Sequence, residues 1–265
     1  MNVSAIIIAR NEESRIATCI SSIAWADELI VVDNGSSDAT REIAKKHGAT
    51  VISGADTHNF AKLRNIGKEK AHGAWLLYID ADEVLTDELA KEIKDAVSHS
   101  PRLSSGEAGQ HSAISGYELR RKNYYLGHKW PGEESILRLM RKDALQEWYG
   151  QLHETARVKG EIERLRSPLI HHTHRTLEEM VTKTNEWSEM EAKLRFDAGH
   201  PPVVWWRFPR VSVTAFFNSF ITQGGSHAGV VGWIESIYQA FSMFITYAKL
   251  WEMQQVESQK SKVKS

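Results

Sequence analysis

The sequence has little cysteine, no excess of either charge and no long apolar run. Its single cysteine, Cys19, cannot form a disulfide within the chain, and its helical apolar surroundings predict a small buried side chain. The 33 basic residues nearly balance the 34 acidic ones, so we expect no general attraction to nucleic acid and no nucleic-acid partner. Because a helix needs about 18 consecutive apolar residues to cross a bilayer, we also expect no spanning helix.

The amino-terminal segment lacks the features of a secretory signal. The apolar stretch at residues 5–9 is short and is followed at once by Arg10, Glu12 and Glu13. Together with the single cysteine, this predicts a cytoplasmic protein. A length of 265 residues is near the upper limit for one hydrophobic core, so we expect one domain with a C-terminal elaboration.

The first hundred residues alternate short apolar runs with amphipathic stretches, which is typical of βα units around a mainly parallel sheet. Strands are predicted at residues 3–9, 29–32, 50–52 and 75–79, and later at 117–121, 136–140 and 155–158. Helices are predicted to begin near Glu12, after Asp38 as N-cap, at Phe60 and after Thr86 as N-cap. Residues 98–115 are rich in serine, glycine and histidine and predict a mobile loop.

The sharpest local signal is a pair of carboxylates directly after an apolar strand, in Tyr78-Ile79-Asp80-Ala81-Asp82-Glu83. In an open α/β sheet the ligand crevice lies at the carboxyl ends of the strands, which places Asp80 and Asp82 at its edge. Carboxylates there can hold a divalent cation that keeps other coordination positions for water and substrate phosphates. The alternative is a strand end followed by an acidic helix cap.

A second polar group follows the second strand, where Asp33 precedes Asn34, Gly35, Ser36 and Asp38. Gly35 can supply the positive φ of a tight turn, and its polar neighbours can satisfy free backbone donors of the next helix. A turn without any further role is therefore the alternative to a ligand site.

These motifs together resemble the N-terminal half of a family 2 glycosyltransferase of the GT-A fold. The matching segments are Ile6-Ile7-Ile8-Ala9-Arg10-Asn11-Glu12, Val32-Asp33-Asn34-Gly35-Ser36-Ser37-Asp38-Ala39-Thr40, Asn59-Phe60-Ala61-Lys62-Leu63-Arg64-Asn65 and Ile79-Asp80-Ala81-Asp82-Glu83. Their order and spacing agree with the family, although Asn34 stands where the family often has a second aspartate. The resemblance covers residues 1–175 and implies an α/β nucleotide-sugar-binding domain of the GT-A type.

The resemblance also implies roles for individual residues. Those implied to bind the nucleotide sugar are Ala9, Arg10, Glu12, Asp33, Arg64 and Asp80. Within this set, Asp33 would bind a uracil-like base, Arg64 would approach the diphosphate, and Asp80 would contact the ribose or the sugar. Asp82 would ligate Mn²⁺ or Mg²⁺, and a cation beside an arginine can stabilise a departing nucleoside diphosphate.

An inverting transfer needs a general base for the acceptor hydroxyl. The segment Gln151-Leu152-His153-Glu154 resembles part of a family branch that includes lipopolysaccharide-core transferases. Successive residues of an extended chain point in opposite directions, so only one of the last two can face the cleft. We expect Glu154 as the base and His153 as a metal or phosphate contact, with surface positions for both as the alternative.

Other polar residues compete for these roles. Glu133 and Glu134, after a turn predicted at residues 130–132, are the competing acids. Arg138 and Arg141 are expected at a solvated sheet edge, with contact to an anionic acceptor as the alternative. The cluster of His171, His172 and His174 has poor spacing for three ligands of one ion. Either of the first two is the candidate to complete the metal or diphosphate site, and the alternative is that all three are turn and packing residues.

After His174 the chain is predicted to be mostly helical and is unusually aromatic. One segment contains Trp205, Trp206, Arg207, Phe208, Arg210, Phe216, Phe217 and Phe220, and a second has a stripe of Val230, Ile234, Ile237, Phe241, Phe244, Ala248 and Trp251. Aromatic side chains favour the lipid headgroup boundary while arginines stay in the headgroup layer, which predicts peripheral membrane association. Packing on the catalytic domain or contact within a homo-oligomer is the alternative.

The sequence therefore predicts a GT-A catalytic domain at residues 1–175, with a nucleotide-binding half at 1–98 and an acceptor half at 116–175, and a helical region at 176–265. We expect a metal-dependent, inverting hexosyltransferase that uses a nucleotide sugar, of the UDP type, and a lipid-linked or cell-envelope saccharide at the inner face of the cytoplasmic membrane. A nucleotide-sugar-binding pseudoenzyme is the first alternative. A nucleotidyltransferase is the second, although the first strand is not followed by the glycine-rich phosphate loop expected of it.

Overall fold

The computed structural model describes residues 2–54, 57, 59–99, 114–150 and 154–263, with side chains up to residue 259. The chain divides into two compact units. The first unit comprises Met1–Lys122 and Glu133–His171, and the C-terminal unit comprises Asn123–Gly132 and His172–Ser265.

The first unit is built on a central sheet. The strands are β1 (Val3–Ala9), β2 (Glu28–Asp33), β3 (Thr50–Ser53), β4 (Trp75–Asp80), β5 (Glu83–Leu85), β6 (Ile114–Tyr125), β7 (His128–Arg141), β8 (Leu145–Tyr149), β9 (Thr155–Val158) and β10 (Glu161–Thr173). Eight of them form one sheet in the order β3-β2-β1-β4-β7-β6-β10-β5, and β8 pairs with β9 separately. Strands β3, β2, β1 and β4 run parallel, and β7 joins β4 antiparallel. The predicted α/β class is thereby confirmed.

Three helices connect the four parallel strands, namely α1 (Ile16–Ser22), α2 (Thr40–Lys46) and α3 (Phe60–Lys70), and a fourth, α4 (Asp87–His99), follows β5. All seven residues of β1 are buried. Successive residues point to opposite faces, so Ile7 packs in one apolar cluster and Ile6 in the other. With both faces of the sheet apolar, polar side chains collect at the carboxyl ends of the strands.

The helix starts follow the predictions only in part. Thr86 caps α4 as predicted, because its Oγ1 accepts a hydrogen bond from the Leu89 amide at 3.2 Å. The N-cap of α2 is Ala39 rather than Asp38. Asp38 instead accepts a bond from the Thr40 amide at 3.0 Å, so it still satisfies a free donor of the first turn.

The turn predicted at residues 130–132 is wrong, because these residues lie inside β7. The chain reverses earlier, at Leu126 and Gly127, whose φ angles are 48° and 77°. The loop predicted at residues 98–115 lies mostly outside the described residues. At its ends, α4 extends to His99 and β6 begins at Ile114.

The C-terminal unit is mainly helical, as predicted. Its helices are α5 (Leu177–Asp197), α6 (Arg207–Phe217) and α7 (Gly229–Val263), and a short π-helix, Asn218–Thr222, continues α6. Tyr238 of α7 joins α5 through a hydrogen bond from its hydroxyl to the Met180 carbonyl at 2.7 Å. Among the described residues, no helix is long and apolar enough to cross a membrane.

Candidate functional site

The carboxyl ends of three neighbouring strands bring together the residues that the sequence singled out. Ala9 of β1 lies opposite Asp33 of β2, and Ile8 of β1 lies opposite Asp80 of β4. The side chains of Asp33 and Asp80 therefore share one edge of the sheet, on either side of β1. Asp82 follows directly, before β5. This is the edge at which open α/β sheets bind their ligands.

The loops after β1 and β2 are fastened to each other. Asn11 has a φ of 55° and donates its backbone N–H to Ser36 Oγ at 3.0 Å. The Ser37 amide donates to Asn11 Oδ1 at 2.8 Å, and the Glu12 amide donates to Thr40 Oγ1 at 2.7 Å. Arg10 and Glu12 are thus carried by a loop that these bonds hold at this edge, directly after Ala9 at the end of β1.

Asp33 is engaged by its own turn. Its two carboxylate oxygens each lie 3.3 Å from the Ser36 amide, and its side chain is 2% exposed. Asn34 exchanges two hydrogen bonds of 2.9 Å with the backbone of Thr57. These bonds form the well-made turn that the sequence left as an alternative. Binding of a base by Asp33 stays a prediction.

Asp80 lies between two guanidinium groups. Its Oδ1 accepts from Arg64 Nη2 at 2.9 Å, and its Oδ2 accepts from Arg138 Nη2 at 2.5 Å. Burial would raise the pKa of Asp80, but the charges of Arg138 and Arg64 outweigh burial and hold that pKa well below its ordinary value. Asp80 is therefore a fixed anion whose oxygens are both occupied.

Arg64 also binds Glu154, the predicted base. Glu154 Oε1 accepts from Arg64 Nε at 3.0 Å and from Nη2 at 2.8 Å, and the guanidinium lies 4.9 Å from the Trp148 ring. The side chain of Arg64 is 2% exposed. Its Nη1 has no hydrogen-bond partner within the described part of the chain. A buried donor without a partner is rare in folded proteins, which marks this guanidinium as more than a structural cation.

Glu83 completes the charged network and had no role in the sequence analysis. It is fully buried, and its Oε2 accepts from the Asp80 amide at 2.9 Å. Its Oε1 lies 3.2 Å from Arg121 Nη1 and 3.6 Å from Arg138 Nη2. Burial raises the pKa of Glu83 despite Arg138, and the charge of Asp80 raises it further.

Arg138 was predicted at a solvated edge, and that prediction is wrong because only 6% of the residue is exposed. Strand β7 pairs with β4 and is covered, so an arginine in its apolar run is buried among carboxylates. The signal that could have found it is its position inside the apolar segment 136–140. A cation within such a run needs a buried anion as partner.

Asp82 lies beside one histidine and one arginine, whereas Asp80 lies between two arginines. Its Oδ2 lies 3.4 Å from His171 Nε2 and 3.7 Å from Arg15 Nη1. The pairing of β10 with β5 sets this contact, because His171 lies opposite Glu83 in the register. His153 lies outside the described residues, so its predicted role as a metal or phosphate contact stays a prediction.

The competing acids are paired across the β6–β7 hairpin. Glu133 Oε2 lies 3.1 Å from Arg120 Nε, and Glu134 Oε2 lies 2.5 Å from Arg121 Nη2. Neither arrangement brings the acid into contact with Asp80 or Asp82 in the described structure. Glu154 is the predicted acid that joins the network around Asp80 directly.

The other two histidines of the cluster make contacts inside the C-terminal unit. The ring of His172 packs on Tyr124 with centroids 5.2 Å apart. His174 has a φ of 46°, and its Nδ1 lies 3.0 Å from Glu235 Oε2. Of the three histidines, His171 lies beside Asp82, and its role at the site stays a prediction.

Comparison with known proteins places these residues in a family. The lipopolysaccharide core biosynthesis glycosyltransferase LpsC of Rhizobium meliloti is 25% identical over 94% of this chain and 92% of its own length. An uncharacterized glycosyltransferase of Rickettsia conorii is 28% identical over 94% of this chain and 90% of its own. Among solved structures, S. aureus TarS 1–349 with UDP-GlcNAc aligns at a TM-score of 0.46 and 17% identity, covering 97% of this chain and 92% of that one. The sequence model of Glycosyl transferase family 2 matches residues 4–149, more than half of the chain, and the chain therefore belongs to that family.

Proposed function

We propose that this chain is a metal-dependent, inverting hexosyltransferase that moves a sugar from a nucleotide sugar, of the UDP type, to a lipid-linked or cell-envelope saccharide. Membership in the family gives glycosyl transfer as the class of reaction. The observation that carries the proposal is the convergence of Asp33, Asp80 and Asp82 at one carboxyl edge of the sheet. A buried arginine with a donor left over lies beside them.

The donor set at Asp82 fits a divalent cation. A carboxylate oxygen and an imidazole nitrogen 3.4 Å apart are both ligands that Mn²⁺ accepts. Two protein donors leave coordination positions for water and for phosphate oxygens. Asp82 and His171 would therefore hold the cation, which would supply charge stabilisation to the leaving diphosphate. Asp80, with both oxygens bound to arginines, orients Arg64 instead.

Arg64 is placed to stabilise the negative charge that develops on the leaving group. Its guanidinium is fixed by Asp80, Glu154 and the Trp148 ring before any substrate arrives. A preorganised donor in a water-poor site costs no reorganisation during the reaction. We assign its unpaired Nη1 to the diphosphate.

Glu154 is the proposed general base. Both hydrogen bonds from Arg64 fall on Oε1, so the carboxylate is held at one oxygen and Oε2 is the one that can take the acceptor proton. A base must lie within hydrogen-bond reach of that proton. Arg64 thus links leaving-group stabilisation to the orientation of the base.

The C-terminal unit supports the membrane part of the proposal through an exposed apolar face. This apolar face consists of Trp206, Val213, Phe217, Val230, Trp233, Ile237, Phe241, Phe244 and Trp251. Contacts of Phe208 with Phe244 and of Phe216 with Trp233 show that α6 and α7 run antiparallel and pack against each other. A concentration of exposed apolar side chains on one helix pair is typical of membrane or protein interfaces. The name of the relative LpsC refers to lipopolysaccharide core biosynthesis and supports an acceptor at the membrane.

A donor-hydrolysis screen tests the proposal. Purified full-length protein is incubated with UDP-, GDP- and CMP-linked sugars in the presence of Mn²⁺, Mg²⁺ or a chelator. We expect slow release of the nucleotide from a UDP-linked hexose only when a divalent cation is present. Release from another nucleotide class would correct the donor, and metal-independent release would remove the cation from the proposal.

A further inference from the structure

The C-terminal unit contains an open groove that the function proposed above does not use. It lies between α6 and α7 and has a volume of about 440 Å³. Small-molecule sites commonly have volumes of about 300–1,000 Å³. One stripe of each helix forms its walls, so the groove is a feature of the helix pair itself.

Two arginines without acidic partners line the groove. Among the described residues, neither Arg207 nor Arg210 makes an ion pair, and their guanidinium carbons lie 5.4 and 5.7 Å from the centre of the Trp206 ring. The Nε of Arg207 is buried and has no hydrogen-bond acceptor within the described part of the chain. Two guanidinium groups without a carboxylate beside them in the described structure give this part of the groove a local positive charge, which suits an anion.

The remaining lining suits a polyhydroxylated ring. Asn218, Gln223 and Gln239 bring amide groups that both donate and accept hydrogen bonds. The ring of Tyr247 and the thioether of Met243 add apolar surface for the carbon–hydrogen face of a sugar. This combination distinguishes the groove from a site for a bare inorganic anion.

The groove and most of the apolar face lie on different stripes of the two helices, and they meet at Trp206, whose ring lies beside Arg207 and Arg210. On α7 the groove residues Gln239, Met243 and Tyr247 are spaced four apart, and the exposed stripe lies about a third of a turn away at about 100° per residue. On α6 the exposed residues Val213 and Phe217 are likewise offset from the groove stripe by about a third of a turn. A lipid surface on the exposed stripe of α7 would therefore not cover Gln239, Met243 and Tyr247 of the groove.

We propose that this groove binds an anionic saccharide, a sugar ring that carries a phosphate or a carboxylate, as part of the acceptor. Arg207 and Arg210 bind the anionic group, and the amide side chains bind ring hydroxyls. The inference rests on the proposed function, because it gives the envelope saccharide a second point of attachment in the C-terminal unit. It narrows the acceptor class from any saccharide to a charged one.

An NMR titration of the full-length protein with glucose 6-phosphate, glucose and inorganic phosphate tests the inference. Two variants address the groove: Arg207→Gln with Arg210→Gln removes the charges, and Thr214→Trp places a bulky side chain at the rim. Arg164→Gln is the matched control, because Arg164 is an exposed arginine of the first unit paired with Glu118. A parallel titration with UDP and Mn²⁺ measures binding at the proposed donor site around Asp33, Asp80 and Asp82.

The wild-type protein is expected to bind glucose 6-phosphate at least about tenfold more tightly than glucose or phosphate, as charge-assisted hydrogen bonds add to the neutral ones. Both groove variants should lose about tenfold or more of this affinity, and Arg164→Gln should keep it. Equal affinity for phosphate and glucose 6-phosphate would overturn the saccharide class. If both groove variants keep the wild-type affinity for glucose 6-phosphate, the groove is not the binding site. Neither result depends on UDP binding. If the wild-type protein fails to bind UDP with Mn²⁺, that result counts against the proposed function and not against the groove.

Discussion

Replacing Arg138 by Met tests the buried charge network at its centre. Met has a similar length and keeps apolar contacts, but it removes the guanidinium that binds Asp80 at 2.5 Å and lies 3.6 Å from Glu83. Breaking a buried ion pair on one side typically costs about 3–5 kcal/mol. Asp80 is 30% exposed and keeps Arg64, so we expect the lower end, a loss of about 3 kcal/mol in the free energy of unfolding at pH 7.

The pH dependence of this loss has a definite sign. The folded pKa of Asp80 lies below its unfolded value of about 3.9, so its contribution to stability is present above that pH and disappears as pH falls further. Arg138→Met raises the folded pKa of Asp80 towards the unfolded value. The difference in stability between wild type and variant should therefore narrow as pH falls below about 4.

Urea unfolding at pH 7 and pH 3.5, followed by circular dichroism, measures both effects. Arg164→Gln serves as the control, because its exposed pair with Glu118 should be worth only about 0–1 kcal/mol. A loss below about 1 kcal/mol for Arg138→Met at pH 7 would refute the reasoning. So would a difference that stays constant or grows towards pH 3.5.

Two further predictions concern the base and the membrane. Glu154→Gln keeps an oxygen that can accept from Arg64 but removes the base. The rate of sugar transfer should therefore fall roughly 10²-fold, with donor affinity nearly unchanged. If Glu134→Gln has this effect instead, the assignment of the base to Glu154 is wrong. The full chain should sediment with anionic liposomes and largely remain bound at high salt, since burial at about 25 cal/mol per Å² makes the apolar contribution the larger one. The double variant Trp233→Ser with Phe241→Ser should weaken liposome binding. Leu177→Ser, which changes an exposed residue of α5, is the control and should not weaken it. A wild-type protein that stays in the supernatant with every lipid contradicts the membrane assignment.

The parallel half of the fold could be predicted from the sequence because its signals are local. Strands such as Val3–Ala9 are covered on both faces, and a run of consecutive apolar residues records this directly. The carboxylates after β2 and β4 could be placed at one edge from chain order alone. Burial of Cys19, which is 1% exposed, also follows from the local pattern and is confirmed.

The predictions that failed depend on contacts distant in sequence or on unusual backbone angles. The partner of Arg138 is Asp80, 58 residues earlier, and only the pairing of β7 with β4 brings them together. By contrast, His171 was one of two histidines offered for the metal site, and the choice between them depends on the register of β10 and β5, which no local pattern specifies. The true β6–β7 turn uses Leu126 with positive φ, a residue type that gives no turn signal, whereas Pro131 and Gly132 gave a false one.

Calorimetry with UDP and Mn²⁺ tests the central claim most directly, that the strand-end carboxylates bind a metal–diphosphate unit. Wild type should bind UDP more tightly with Mn²⁺ than without, and Asp82→Asn should lose that gain while unfolding at the same temperature. Asp143→Asn is the matched control, because Asp143 is an exposed aspartate that is paired with Arg141. If Asp82→Asn keeps the full Mn²⁺-dependent gain in UDP affinity, Asp82 is not in the site and the account is contradicted at its centre.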